Sequence, residues 1–587
     1  MRANREETSV CLTLENDGQI TATGFSGINV SQSAGSTGST TITNTGTIVG
    51  AANHSSINVN ENASGTVTIN NTGTIGNSPA AGTSQAIYES GGTVVINNSG
   101  QIYGSVNTTN TFTGTFNNNA GATWQAGYID DEGTIVASGA GSAITIIGTS
   151  NGIDVANTGT GSLTAAAGAA LTADFLNIGQ FAGSQGTVNI TGVGTTLNTT
   201  AGQFQNIGVG YNGTASLTIA DHAVVSTTNM DIAVHYDLGV VDTLDVNNAT
   251  LNVGQGLTIG DAGVAHATVE NGGTITAGFI AIANQAGSSG SLGVDGAGTL
   301  VTTSGLTLGI SGSSASLSVT NGAAVDVGSD ATTIANAVHV GSLDTLQGAG
   351  TINANLVNDG HVTATGATLD VTGALTGSGT LTIGTGAHLE VGSTVASTET
   401  VAFQSSTGSL IVDQSAGFNA VISGFSGNGT LSGSDQIDLK DIAFSGSLST
   451  IFDPSHDTLL VSDGTNSTTL HFVGTYVAQN FKFTSDGSGG TIVYDPPVST
   501  QGTADTISTS GPAQVSNTAF VFNLADISHA PDPFDAAHGV AQSVPSAGSF
   551  QPGHEGVKLE VALTDAESLT ASFINAEPHL AHFQLVA

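Results

Sequence analysis

The chain contains very little positive charge. Its 587 residues include five Lys and Arg against 44 Asp and Glu, which gives a formal net charge of −39. Residues 6–439 contain no Lys or Arg at all. A protein that binds nucleic acid needs cationic side chains to contact the phosphates. Binding to anionic lipid also needs cationic side chains. The composition therefore excludes nucleic acid as a partner, disfavours anionic membrane surfaces and leaves soluble divalent cations as natural counter-ions.

Cysteine and long apolar runs are scarce as well. The single cysteine, Cys11, excludes an internal disulfide, so an exported chain of this kind has to be stabilised by repetition. No stretch approaches the roughly 20 apolar residues of a membrane helix, so we expect no membrane span. The N-terminal residues lack the apolar segment of an ordinary signal peptide. Three interpretations of this N-terminus stay open. The protein is cytoplasmic, its export uses another signal, or its true start lies further upstream.

The abundant residues favour strands over helices. The chain has 82 Gly, and Ser, Thr, Asn and Ala are also frequent. Gly and Asn disfavour helices, whereas Thr and Val suit strands. With 38% hydrophobic residues and 5% aromatics, the chain has enough apolar surface for a narrow core of small side chains. We therefore predict an all-β protein with a packed interior.

An Asn-x-Gly-x-Ile phrase recurs in the N-terminal part, beginning at Asn16, Asn44, Asn71 and Asn98. The intervals are 28, 27 and 27 residues. Asn and Gly tolerate positive φ angles, so each phrase indicates a turn that follows a strand. If each repeat forms one coil, the asparagines stack and are predicted to form a hydrogen-bonded ladder.

A second array covers residues 186–327. Its repeats of about 25 residues each contain three short apolar runs with period-2 alternation, separated by turns such as Glu270–Gly273. One long period with three strands is typical of a parallel β-helix, in which each strand lies on a separate face. A tandem of β-sandwiches is the rival fold. We predict a right-handed parallel β-helix with a C-terminal β module.

The predicted organisation has four parts. Residues 1–140 form a β-helix with Asn-x-Gly repeats of 27 residues, and residues 141–395 continue it with repeats of about 25. Residues 396–498 are richer in Phe, Asp and His and are predicted to cap the open edge of the solenoid. Residues 499–587 contain most of the prolines and several histidines, and are predicted to be a partly disordered tail.

The Asn-Thr-Gly-Thr-Ile turns, the run Ser316–Gly322 and the Gly-x-Gly phrases of 348–383 resemble the β-helical passenger regions of autotransporter and filamentous-haemagglutinin-like bacterial exoproteins. The resemblance implies a monomeric, adhesin-like protein that is extracellular or on the cell surface, in association with the outer membrane. Its expected partners are a host or abiotic surface, polysaccharide or other cell-surface molecules. The export route stays open, and a type I route with an uncleaved C-terminal signal or a truncated gene product would fit the N-terminus and the tail.

Catalytic candidates are few. A lyase with an Arg or Lys base is excluded, because the repeats have neither residue. A glycoside hydrolase needs two carboxylates at one cleft, and Asp130-Asp131-Glu132 is the one tight acidic cluster in the repeats. Asp130 and Glu132 alternate on a strand and would share one side, although an exposed turn is the simpler interpretation. We expect a non-catalytic protein and keep a polysaccharide hydrolase as the alternative.

Metal candidates are equally sparse. His222, His235 and His266 lie on different coils and are expected to be solvent-facing loop residues. Asp435, Asp438 and Asp441 surround a turn and the start of a strand, where carboxylate oxygens suit calcium. These three aspartates are the predicted calcium site of a calcium-responsive exoprotein, with solvating or structural aspartates as the other interpretation. No other cofactor is expected.

Overall fold

The computed structural model describes residues 2–5, 11–32, 38–61, 65–77, 85–90, 93–108, 114–199, 206–235, 239–310, 312–328, 337–494, 558–562, 568–575 and 581–586. Strands make up 57% of the structure, and the described residues include no α-helix. The chain divides into two units, residues 1–500 and 501–587. The first unit is a parallel β-solenoid with about 25 residues per coil, which confirms the predicted fold class.

From Leu12 to Gly377 each coil contributes one strand to each of three faces, and successive coils pair in parallel. The first face consists of Leu12–Asn16, Thr40–Asn44, Thr66–Asn71, Thr93–Asn98, Thr115–Asn118, Thr134–Ser138, Thr160–Ala166, Gln185–Thr191, Thr214–Ala220, Val241–Asn247, Val264–Glu270, Ser289–Asp295, Ser314–Thr320, Thr345–Gly348, His361–Ala364, Thr380–Ile383, Thr400–Phe403 and Val421–Ser423. All of these pairs are in register without a shift.

The second face follows the first after a turn. It consists of Gln19–Thr21, Thr47–Val49, Thr74–Gly76, Gln101–Tyr103, Thr123–Ala126, Ala143–Ile146, Ala170–Thr172, Thr196–Thr199, Val224–Thr227, Thr250–Ile259, Thr274–Ile282, Leu300–Thr303, Ala324–Val327, Thr351–Asn353, Thr368–Val371, His388–Val391, Ser409–Val412 and Gln436–Leu439. Thr250–Ile259 and Thr274–Ile282 are long enough to continue onto the third face.

The third face closes each coil. Its first strands are Arg2–Arg5, Ile28–Gln32, Ile57–Glu61, Gln85–Ser90 and Ser105–Thr108. A second ladder consists of Ile129–Asp131, Gly152–Val155, Phe175–Ile178, Ile207–Val209, Met230–Ile232, the ends of the two long strands, Leu306–Leu308, Ala337–Val340, Asn355–Asn358 and Leu375–Gly377.

The interior is a column of small aliphatic side chains. Burial alternates along each strand, as in Gln185–Thr191, where Val188 and Ile190 are fully buried. Val188 lies beside Leu163 and Leu217 of the neighbouring coils. Because every coil repeats this arrangement, burial of apolar surface stabilises the solenoid coil by coil.

The predicted asparagine ladder is confirmed and lies inside the solenoid. Asn16 donates from Nδ2 to Oδ1 of Asn44 at 2.7 Å, and the same bond links Asn44 to Asn71 and Asn71 to Asn98. The ladder extends one coil further, to Asn118, at 2.7 Å. The last four of these side chains are at most 1% exposed. A buried amide has to be hydrogen-bonded, and here each one is bonded to the next.

Antiparallel strands complete the C-terminal end of the first unit. Parallel pairing continues past residue 395, through Ser409–Val412 to Gln436–Leu439 and through Val421–Ser423 to Ser467–Val473. The added strands pair antiparallel and are Ser449–Asp453, Thr458–Ser462, Lys482–Ser485 and Thr491–Tyr494. Three 3₁₀ helices accompany them, Ser415–Gly417, Leu431–Gly433 and Ala478–Asn480.

The second unit contains an antiparallel three-stranded sheet, formed by Lys558–Ala562, Ser568–Asn575 and Ala581–Val586. The rest of residues 499–587, on which the predicted partial disorder falls, lies outside the described residues.

Candidate functional site

The Asp130-Asp131-Glu132 cluster does not act as one group. Asp131 is 3% exposed and its Oδ1 accepts the N–H of Gly133 at 2.9 Å. Burial raises the pKa of Asp131 to about 7. Glu132 follows the strand and its Oε1 accepts the N–H of Thr158 at 2.8 Å. Of the three side chains, only that of Asp130 lies on the outer surface of the third face. Asp130 and Glu132 therefore do not face one cleft, and each contacts the next coil instead.

Asp130 begins a polar row that runs across successive coils. The residues that occupy the same register position on the third face are Asp130, Asp154, Asn177, Gly208 and Asp231. Neighbouring strands in a sheet are about 4.8 Å apart. The row therefore brings carboxylates and an amide from consecutive coils within reach of a single extended ligand.

Hydrogen bonds fix the orientation of the first side chains in this row. Asp154 accepts the hydroxyl of Tyr128 at Oδ2 and the amide Nδ2 of Asn177 at Oδ1, the latter at 2.8 Å. Asn157 donates from Nδ2 to Oδ2 of Asp130 at 3.1 Å. Side chains that are held in place lose little further freedom when a ligand binds.

Aromatic side chains flank the row. The ring of Tyr211 lies over Gly208, where a Cβ atom would approach the ring to 2.8 Å. The rings of Tyr211 and His235 are 5.7 Å apart. Phe181 is 51% exposed in the equivalent turn one coil earlier, and Tyr128 is 38% exposed. We call these rings and the polar side chains of the row the acidic–aromatic strip. It consists of Tyr128, Asp130, Asp154, Asn177, Phe181, Tyr211, Asp231 and His235.

Burial changes the protonation of the strip, in which Asp154 is 3% exposed and Asp130 is partly exposed. Burial raises the pKa of Asp130 and of Asp154 above the usual range for a carboxyl. Burial also raises the pKa of Tyr211, and the charges of Asp231 and Asp154 raise it further. The pKa of Tyr128 is raised by burial and by its hydrogen bond to Asp154. Both tyrosines therefore remain hydrogen-bond donors at neutral pH.

No protein-family model and no curated protein matches the chain. In the part of the chain that the structure describes, no helix is long and apolar enough to cross a membrane.

The three histidines considered from the sequence lie on separate surfaces. His222 is in a turn beyond the first face, with Nδ1 3.4 Å from Nδ2 of Asn248. His266 is on the outer side of the first face, with Nδ1 2.6 Å from Oγ of Ser291. His235 lies beside the ring of Tyr211. The structure does not bring them together.

The three aspartates of the predicted calcium site point to different partners. Asp435 is fully buried and accepts the N–H groups of Gly408 and Ser426, each at 2.9 Å. Asp441 accepts the N–H of Ser415. Asp438 lies on the outer side of the second face, where burial and the charge of Asp486 raise its pKa to about 6. Among the described residues, no group of three His, Cys, Asp or Glu is arranged to hold a metal ion.

Asp438 instead belongs to an acidic group around a lysine. Lys440 Nζ lies 2.6 Å from Oε1 of Glu390 and 2.8 Å from Oδ1 of Asp413. Hydrogen bonds to Asp413 and Glu390 raise the pKa of Lys440, so it remains charged. Asp370 pairs with Glu390 in register. This lysine neutralises a surface that would otherwise carry several adjacent carboxylates.

Replacing this lysine by Met is expected to destabilise the C-terminal coils by about 1 kcal/mol, because adjacent carboxylates would then repel one another. Millimolar calcium or high salt should restore the loss in the Lys440→Met variant, since both screen the carboxylates. Melting temperatures with and without calcium test this expectation. Lys482→Met is the control, since Lys482 binds the carbonyl oxygen of Gly429 at 3.0 Å. An equal calcium response in both variants would contradict the expectation.

Proposed function

We propose that the chain is a non-catalytic, adhesin-like protein that binds polysaccharide through the acidic–aromatic strip. The observation that carries the proposal is the placement of exposed rings beside oriented carboxylate and amide groups on one face. Sugar rings present apolar faces and hydroxyl edges, so they suit aromatic rings combined with hydrogen-bonding groups. The strip spans several coils, which fits a polymer better than a small molecule.

The solenoid supports this function as a rigid scaffold. Binding groups on regular strands are held more precisely than groups on long loops. The resemblance of the repeats to autotransporter and filamentous-haemagglutinin-like passenger regions favours an extracellular or cell-surface location and a monomer. The strong negative charge favours neutral over acidic polysaccharides, because like charges repel across an interface.

The strip can be tested by removing its rings and a partly exposed carboxylate. We expect Phe181→Ala, Tyr211→Ala and Asp130→Ala each to weaken binding to a neutral polysaccharide about tenfold, the equivalent of about 1.4 kcal/mol. Retention on insoluble neutral glycans and a glycan array provide the measurement. Thr172→Ala, on the outer side of the second face, is the matched control. Unchanged binding in all three strip variants, or the lack of any bound polysaccharide, would refute the proposal.

A polysaccharide hydrolase is the second candidate, and one observation favours it. Asp130 and Asp154 are register neighbours in adjacent coils, and a strand spacing of about 4.8 Å is close to the roughly 5 Å that separates the carboxyl groups of retaining glycosidases. The raised pKa of Asp130, the more exposed of the two groups, would suit a general acid. Reducing ends released by the native chain, and abolished in Asp130→Asn and Asp154→Asn but retained in Glu132→Gln, would identify the enzyme.

A further inference from the structure

Two glycines leave space on the outer side of the third face, within the coils that carry the acidic–aromatic strip. Gly152 precedes Ile153, and Gly208 lies between Ile207 and Val209. These three aliphatic side chains are fully buried in the core. Since successive side chains on a strand point to opposite faces, a side chain at either glycine would project outward. The strip therefore has two positions at which the strand carries no side chain of its own.

An aromatic ring lies over each of these glycines. A Cβ atom added at Gly208 would be 2.8 Å from Cε2 and 3.0 Å from Cδ2 of Tyr211. A Cβ atom added at Gly152 would overlap three atoms of the Phe175 ring, namely Cγ, Cδ2 and Cε2. Phe175 pairs with Gly152 in register, on the next coil. Both rings therefore lie against the sheet, in the space that an outward side chain would need.

This placement is not shared by every ring on the third face. Phe279 pairs with Gly256 in register, as Phe175 pairs with Gly152. No atom of Phe279 lies within 4 Å of a Cβ atom added at Gly256, where the nearest atom is Oδ1 of Asn229 at 3.6 Å. Phe279 is 45% exposed, so its ring projects away from the sheet. Rings that lie against the sheet thus distinguish the coils of the strip.

A buried carboxylate orients the neighbouring polar side chains. Asp154 lies on the outer side of the third face, between the buried residues Ile153 and Val155, yet it is 3% exposed. Its Oδ2 accepts the hydroxyl of Tyr128, and its Oδ1 accepts Nδ2 of Asn177 at 2.8 Å. Asp154 therefore holds a third ring and an amide in place beside the rings of the two glycines.

The rings of Tyr128, Phe175 and Tyr211 are arranged along the solenoid, and we call them the ring platform. They belong to the first, third and fourth of the five coils that carry the strip. Four strand spacings of about 4.8 Å give the strip a length of about 19 Å along the solenoid axis. After Asp231 the same outward row continues with residues that have neither a ring nor a carboxylate, Thr258, Ala281 and Thr307.

We propose that the strip and the ring platform bind a linear, β-linked neutral glycan that lies along the solenoid axis. This inference rests on the proposed polysaccharide binding and adds the shape of the polymer. A linear β-linked chain is extended and ribbon-like, so consecutive sugars place their apolar faces on rings that lie against one sheet. An α-linked chain curves away from such rings. Gly152 and Gly208 are positioning residues, since each lets a ring lie against the sheet before a ligand arrives.

Isothermal titration calorimetry of the full chain with oligosaccharides of increasing length tests this inference. Cello-, xylo- and manno-oligosaccharides supply linear β-linked chains, and malto-oligosaccharides supply the α-linked control. A sugar in an extended β-linked chain advances by close to one strand spacing. We therefore expect the affinity to rise with length and to level off at about five sugars, one for each coil of the strip. Malto-oligosaccharides of equal length should bind about tenfold more weakly.

Gly208→Ala tests the ring platform without removing any group that contacts the glycan. The added methyl group displaces the ring of Tyr211, so we expect the affinity for β-linked oligosaccharides to fall about tenfold. Adding Gly208→Ala to Tyr211→Ala should weaken binding no further, because both changes act on one ring. Gly293→Ala is the matched control, since a Cβ atom there is 3.9 Å from its nearest neighbours. Phe279→Ala controls for the loss of an exposed ring, and both controls should bind like the native chain.

Several results would overturn the inference. Equal affinity for β-linked and α-linked oligosaccharides is one, and an affinity that levels off at two sugars is another. Native affinity in Gly208→Ala is a third. If a branched or α-linked polysaccharide binds and Tyr211→Ala weakens its binding, the proposed function holds and only the inference about polymer shape fails. If no polysaccharide binds, both fail. Melting temperatures establish that every variant is folded.

Discussion

Replacing Asn71 by Ala is expected to lower the free energy of unfolding by about 2–5 kcal/mol. Asn71 Nδ2 donates to Oδ1 of Asn98 at 2.8 Å, and its Oδ1 accepts Nδ2 of Asn44 at 2.7 Å. Nδ2 also contacts the carbonyl oxygens of Gly73 and Gln101 at 3.2 Å. Each buried group left without its partner costs about 1–3 kcal/mol, and Asn71 is only 1% exposed to solvent.

The matched control is the adjacent residue, Asn70. Its side chain lies on the outer surface and accepts a hydrogen bond from Asn97 at 2.9 Å. In Asn70→Ala, water can therefore accept the hydrogen bond from Asn97 instead. We expect this control to cost well under 1 kcal/mol, about the value of an exposed hydrogen bond. Denaturant unfolding of both variants, followed by circular dichroism, measures the difference. Equal losses at the two positions would show that the ladder contributes no more than an exposed amide.

The melting temperature is expected to fall as the pH rises from about 5 to 8. Burial raises the pKa of Asp131 and Glu399 to about 7 and that of Asp435 to about 6. In the unfolded chain these carboxyls titrate near pH 4. The folded state therefore holds protons that the unfolded state has released. This stabilisation is complete below the unfolded pKa and is lost as the pH rises through about 6 to 7. Repulsion within a chain of charge −39 acts in the same direction.

Glu399→Gln isolates one contributor to this pH dependence. Glu399 is fully buried and its Oε2 accepts Nδ2 of Asn358 at 3.0 Å, a bond that a glutamine carbonyl can also accept. We expect the variant to melt at a higher temperature than the native chain at pH 8, and to differ little from it at pH 4.5. Asp17→Asn, at an exposed position in a turn near the other end of the solenoid, should not change the pH dependence. Calorimetry between pH 4.5 and 8 measures both. A native chain that becomes more stable as the pH rises would contradict the assignment.

The fold was largely predictable because its signals are local and repeated. The alternation around Val188 and Ile190 indicates one buried face, and the phrases from Asn16 to Asn98 mark equivalent turns. Once the strands of one coil are assigned, parallel pairing gives the positions of the equivalent strands in the other coils. The ladder was predicted because its asparagines recur at nearly constant intervals, and Asn118 was missed because it follows Asn98 by only 20 residues.

The strip was not predictable from residues that are adjacent in sequence. The sequence pattern predicts Glu132, two residues away, as the partner of Asp130, whereas the structure supplies Asp154 from the next coil. The interval between coils varies, so a short cluster motif cannot reveal such pairs. Aligning the third-face strands coil by coil would have placed Asp130, Asp154 and Asn177 in one row. Asp435 and Asp438 are separated for another reason: they are three positions apart, so Asp435 is buried while Asp438 lies on the outer side of the strand.

The asparagine ladder has a consequence for how such a protein changes its length over evolution. Each coil from residue 40 to 118 meets its neighbours through the same buried amide contact and the same parallel register, so one coil can join to almost any other. Recombination between repeats can therefore insert or remove whole coils while the junction stays compatible. Selection can then adjust the length of the solenoid in steps of about 4.8 Å, without changing the surfaces of the remaining coils.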